Sequence, residues 1–221
     1  MKNIIIIGSG GFSLEIVEYI HNNQGSQTYF PYEIKGFLDI NSKSYNQYQH
    51  EYPLLGDEYS YQIDCDDVFV LAISEHGLME TRKRIVKNLI AKKAKFINLI
   101  HHTCNIPNSL DIGQGNIIAP YTIVGPKTKI GNFNTLNYHS SLAHESSVGN
   151  FNVLSPNTVI TGCVQISDSN FIGASTTILP GFCIGSNNKI QSGLVLDKNI
   201  ENNLFVFSNT KNRELNLGNI D

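Results

Sequence analysis

One residue pair is placed to move a proton. His144 is followed directly by Glu145, and between Ile106 and Leu196 the only other histidine is His139 and there is no other glutamate. An imidazole takes up a proton near neutral pH, as a general base deprotonating an attacking nucleophile must. A carboxylate beside the ring can fix its tautomer and stabilise the imidazolium that forms. His139 has no adjacent carboxylate and is the weaker candidate. A second feature lies near the start, where Gly8-Ser9-Gly10-Gly11-Phe12 joins an apolar run to a helical pattern. Such a turn can bring backbone N–H groups to a phosphate at a helix N-terminus. A dinucleotide fingerprint would also want a glycine at position 13, where Ser13 stands, so NAD binding is not expected.

The elements that carry the glycine turn alternate between strand and helix. Residues 3–7 form a short apolar strand, and residues 12–20 place Leu14, Ile16, Val17 and Ile20 at helical spacing. Strands are expected at 33–39 and at 67–73, the latter a nearly continuous apolar run of the kind parallel sheets bury. Residues 76–91 read as an amphipathic helix, and 95–100 close the unit. The pattern predicts a small doubly wound sheet of three or four parallel strands.

Beyond residue 100 the period changes to six. Every sixth residue from Ile106 to Leu196 is Ile, Leu or Val, including Ile118, Leu136, Leu154, Ile172 and Ile190. Small residues often follow these positions, as at Gly113, Ala119 and Gly173, and Ser, Thr or Asn often stand four places on, as at Thr122, Ser140 and Thr176. Six fits neither the 3.6 of a helix nor strands with turns every 8 to 12 residues; it fits a parallel β-helix whose interior is filled by the aliphatic column. His144 and Glu145 then sit on a solenoid with no room for inserted loops.

Composition limits the partners. The 221 residues are 41% hydrophobic and 16% charged with a net charge of −3, which excludes a disordered chain and leaves no basic footprint for nucleic acid or an anionic membrane. The charge is unevenly spread: between Ile106 and Leu196 only Asp111, Lys127, Lys129, Glu145, Asp168 and Lys189 are charged. Flat, charge-poor solenoid faces suit stacking against identical subunits. The apolar run from Ile4 to Ile7 is too short for a signal peptide core or a spanning helix, so a cytoplasmic protein without membrane insertion is expected. Cys65, Cys104, Cys163 and Cys183 are widely spaced and read as free thiols.

The hexad pattern resembles the hexapeptide-repeat acyltransferases. With the preceding α/β unit it resembles, more narrowly, the bacterial sugar acetyltransferases that include sialic acid O-acetyltransferases and nucleotide amino-sugar N-acetyltransferases. Residues 5–12 (IIIGSGGF), 35–39 (KGFLD), 53–57 (PLLGD) and 98–101 (NLIH) carry the match outside the repeat. The resemblance implies an α/β N-terminal domain, a small Rossmann-like parallel sheet over 1–100 that holds a nucleotide-linked amino sugar. A left-handed parallel β-helix with a C-terminal tail follows over 101–221. It further implies a homotrimer with its active site between adjacent prisms, acetyl-CoA as co-substrate, and no metal or redox cofactor.

The resemblance also assigns roles. The stretch Leu142-Ala143-His144-Glu145 matches the catalytic motif, with His144 as general base and Glu145 as its orienting partner. Coenzyme A contacts carry over to Val153, Gly162, Ala174 and Ser192. Three hexads make one coil, so Gly162 should lie one coil from His144, leaving room for a thioester and offering an amide N–H to the developing oxyanion. The acceptor's nucleotide contacts carry over to Gly10, Gly11, Phe12, Asp39 and Ile40, where Ile40 replaces a second acid and Phe12 a common histidine. A Val-Pro-Ala-Lys segment that packs near the pantetheine corresponds here to the run from Val206 to Lys211, which lacks the proline. The activity implied is transfer of acetyl to a sugar amine for surface glycan synthesis. O-acetylation of sialic acid or another polysaccharide sugar, and a non-catalytic nucleotide-sugar-binding trimeric scaffold, are the alternatives.

Overall fold

The computed structural model describes residues 1–74 and 76–208. Three parallel strands, β1 (Lys2–Ile7), β2 (Tyr32–Leu38) and β3 (Asp67–Leu71), form a sheet in the order β2-β1-β3. Four consecutive isoleucines make β1 the centre because helices cover both faces. Ile4 and Ile6 pack against Ile16, Tyr19 and Ile20 of helix α1 (Gly11–Gln24), whereas Ile5 and Ile7 pack against Ile85, Val86 and Leu89 of a second helix, Met79–Ala91. A short helix, Ser42–Tyr48, gave no periodic signal in the sequence and is capped by the Asn41 side chain, which accepts from Lys43 N–H. In chain order these are α1, α2 (Ser42–Tyr48) and α3 (Met79–Ala91).

The stretch expected to close the sheet divides. Phe96 makes a single bridge to Phe69 at the sheet edge, while Leu99–Ile100 pairs with Ile117–Ile118 as the first strand of the solenoid. From there the chain forms a parallel β-helix of two-residue strands on three faces, such as Thr135–Leu136, Ser141–Leu142 and Ser147–Val148. In each strand the second residue points inward, and the aliphatic column from Val124 to Leu196 is buried. Ladder partners such as Leu142 and Ile160 lie 18 residues apart, so one coil is three hexads. The last coil is two residues shorter, with Ile190 paired to Val206.

The corners turn through left-handed residues at the same period, among them Tyr121, Lys127, Phe133, His139, Glu145, Phe151 and Cys163, with φ between 57° and 61°. Buried asparagines one coil apart tie the coils together. The N–H and Nδ2 of Asn134 both donate to Asn116 Oδ1, and those of Asn152 to Asn134 Oδ1, so these buried amides are satisfied by their neighbours. Both the Asn ladder and the left-handed corners follow the hexad register.

The two parts are held by a buried cation. Arg82 on α3 is 1% exposed and donates from Nη2 to Phe133 O at 2.8 Å and from Nη1 to Phe151 O at 3.3 Å, gripping one corner of two successive coils. Burial lowers its pKa to about 10. Around it Phe133 and Phe151 stack on each other, and Phe133 packs edge-on against Phe96. Arg82→Ala leaves two carbonyls unpaired and a cavity at this junction, so a loss of about 2–4 kcal/mol is expected, read as a lower urea midpoint. Among the described residues no helix is long and apolar enough to cross a membrane.

Candidate active site and nucleotide cavity

Strand Ser141–Leu142 delivers His144 to the corner between two faces of the solenoid, and the left-handed turn at Glu145 (φ 58°) folds the carboxylate back toward the ring. His144 Nδ1 lies 3.1 Å from Glu145 Oε2. A carboxylate only accepts, so this contact places the ring proton on Nδ1 and leaves Nε2 as the basic nitrogen. The imidazole is open to approach, its side chain being 59% exposed.

The coil register builds the rest of this corner. Lys127 lies one coil before Glu145, with its Nζ 3.4 Å from Oε1, and Cys163 one coil after it, with its Sγ 4.0 Å from Oε2. The His144 hydrogen bond, and after it Lys127, hold the Glu145 carboxyl below its usual range, so it stays charged beside the ring. Lys127 and Cys163 were not singled out from the sequence; a spacing of one coil on either side of Glu145 was the available signal.

Gly162 comes directly against the base. A Cβ built there would lie 2.8 Å from both Cε1 and Nε2 of His144, so only glycine leaves the ring its position. The neighbouring amide, Cys163 N–H, donates to His144 O at 3.0 Å and locks the two coils together at this point. The other expected coenzyme A residues are not brought to this corner. Val153 lies on another face, buried, between Thr135 and Phe171, and Ala174 and Ser192 stand one coil apart at a different corner. His139 sits at that same corner column, stacked on Tyr121 at 5.1 Å. At the chain end Val206 belongs to the last strand and Phe207 stacks on Phe205 at 5.2 Å, while Asn209, Thr210 and Lys211 lie outside the described residues.

The α/β part has its own cavity, about 340 Å³, at the ends of the three strands. Gly10, Gly11 and Phe12 line it, together with Asp39, Ile40, Glu58 and Arg84. Gly10 caps α1 in an extended conformation with no side-chain capping bond, so its first turn is free of a local anion. Asp39 faces the turn but is already engaged: Oδ2 accepts from Ser9 N–H at 2.8 Å and Ser9 Oγ at 2.6 Å, and Oδ1 from Asn41 N–H at 2.8 Å. It therefore shapes the glycine turn directly. Ile40 beside it is 64% exposed and offers no polar group.

Residues 3–89 match the PglD N-terminal domain family, with the glycine turn, Asp39 and the sheet all inside the matched stretch. Over those residues the chain is similar to the PglD N-terminal domain. Solved structures extend the likeness beyond that domain. The acetyltransferase domain of PglB from Neisseria gonorrhoeae FA1090, in complex with acetyl coenzyme A, is 20% identical with a TM-score of 0.78, covering 91% of this chain and 94% of that one. PerB from Caulobacter crescentus, in complex with CoA and GDP-perosamine, is 17% identical with a TM-score of 0.75 over 91% and 92% of the two chains. WeeI from Acinetobacter baumannii AYE is 21% identical with a TM-score of 0.76 over 94% and 97%. At these identities the likeness is one of fold, and it runs through both the α/β part and the β-helix, as the resemblance read from the sequence implied. No curated protein sequence matches the chain.

Proposed function

We propose that the protein is an acetyl-CoA-dependent acetyltransferase that acts on the amino group of a nucleotide-linked amino sugar in surface glycan synthesis. The observation that carries this reading is the His144–Glu145 contact of 3.1 Å set directly over Gly162. It presents a tautomer-fixed base above a surface with no side chain, where a thioester can lie. The sugar amine attacks the thioester carbonyl carbon while His144 Nε2 takes its proton. Glu145 stabilises the imidazolium. The Gly162 N–H is the donor proposed for the oxyanion. Collapse of the tetrahedral intermediate breaks the C–S bond, and the departing thiolate of coenzyme A takes the proton back from His144. No acyl-enzyme forms.

The domain matched by the PglD N-terminal family supports the acceptor side of the proposal, with the nucleotide in the cavity bounded by Gly10, Gly11 and Phe12. Ala174 and Ser192 are proposed to follow the coenzyme along the coils at the other corner, whereas Val153 is buried and is not proposed to touch it. Similar structures were solved in complex with acetyl coenzyme A and with CoA and GDP-perosamine, ligands of the same classes. A homotrimer is proposed on one solenoid face whose outward residues include Ile123, Val159 and Val195, 53%, 38% and 64% exposed. That face ends at the His144 corner, so subunits packed on it would enclose the base.

Release of free thiol from acetyl-CoA tests the reading against a panel of nucleotide-linked amino sugars and free sialic acid. Release with an amino sugar is expected. Release with sialic acid alone would replace it with O-acetylation, and silence with every acceptor would leave the scaffold reading.

A further inference from the structure

We propose that Glu58 reads the nucleobase in the α/β cavity and selects guanine. The inference rests on the reading of that cavity as a nucleotide site. Of the two acidic contacts expected after β2, Asp39 already has three of its roughly four acceptor sites filled by Ser9 and Asn41, and position 40 is isoleucine. Among the described residues the other carboxylate in the cavity wall is Glu58, which follows the segment that runs beside β2 through the bridge of Phe37 to Leu54. It is 2% exposed, and its Oε1 is buried with no hydrogen-bond partner. Its backbone is held in place, since its carbonyl accepts from Asn88 Nδ2 at 3.3 Å and Lys92 Nζ at 3.1 Å, both near the end of α3.

A buried carboxylate oxygen without a donor is costly, and the cost is removed when a ligand supplies one. The last torsion of a glutamate is soft, so either oxygen can turn toward the cavity. A carboxylate only accepts, and two parallel donors fit it best. Guanine presents such a pair on its pairing edge, the ring N1–H and the 2-amino group. Adenine and cytosine present one amino group beside an acceptor, and uracil presents one N–H between two carbonyls. Arg84, the only lysine or arginine among the described residues that line the cavity, supplies positive charge for the diphosphate.

Calorimetric titration of the full chain with GDP, UDP, ADP, CDP and inosine diphosphate tests this. GDP is expected to bind about tenfold or more tighter than UDP, and inosine diphosphate, which lacks the 2-amino group, to lose a large part of that advantage. Glu58→Gln, with its fold checked by thermal melting, is expected to bring GDP close to UDP, with GDP losing more affinity than UDP. Equal binding of GDP and UDP by the unaltered chain, equal binding of GDP and inosine diphosphate, or a GDP preference that survives Glu58→Gln would overturn the role of Glu58 alone. Failure of every diphosphate to bind would overturn the nucleotide reading of the cavity and this inference with it.

Discussion

His144→Ala is expected to lower turnover by about 10²–10⁴-fold, the range for loss of a positioned general base. The Nδ1 contact of the imidazole with Glu145 at 3.1 Å fixes which nitrogen is basic. The side chain is more than half exposed, so its removal costs the fold little. Coenzyme A affinity, measured by calorimetry, should stay within about twofold, because an interaction made only in the transition state changes turnover and spares ground-state binding. Turnover near that of the unaltered protein would remove His144 from the chemistry.

Gly162→Ala is the second large effect, and its cause is geometric. The new methyl would sit 2.8 Å from Cε1 and Nε2 of His144, closer than carbon atoms approach. What yields is the far end of a side chain, so the ring moves and the coils stay. A displacement of about 1 Å at a catalytic group can cost about 10²-fold, and a fall of that order is expected with the melting temperature nearly unchanged. A loss of stability comparable to the loss of activity would instead mean that Gly162 serves the corner. Gly125 marks the contrast, because a Cβ there would strike the backbone N of His144 at 2.7 Å and could not be relieved by a rotamer.

Much of the architecture was legible because it is periodic. The aliphatic column read every sixth residue is the buried column of the solenoid from Val124 to Leu196, and the strand at residues 3–7 is the central strand of the sheet. A hydrophobic residue must face the core once per hexad, so register and composition carry the same information. The short helix Ser42–Tyr48 was not legible, since seven polar and aromatic residues with no buried member leave no period to read. The division of residues 95–100 between a bridge to the sheet and the first solenoid strand was also hidden, because both partners want the same extended, apolar segment.

The sites divide in the same way. His144, Glu145 and the one-coil step to Gly162 could be read from residue type and spacing, since the solenoid converts sequence distance into a fixed spatial offset. Asp39 could be read as an acid at the end of β2, but its commitment to Ser9 and Asn41 depends on how the glycine turn folds against it. Glu58 looks like an ordinary surface acid in the sequence; only packing against α3 buries it and strips its oxygen of partners. Arg82, one of three consecutive cations, carries no sign of burial in the sequence, yet it is buried where it donates to the corner carbonyls of Phe133 and Phe151. The sequence by itself determined a sheet, a hexad solenoid and a His-Glu pair, because repeats and local spacing specify contacts at fixed separation. Which carboxylate is free, which cation is buried and how the two parts lock together were decided by tertiary structure, because those depend on desolvation and hydrogen bonds between segments far apart in the chain.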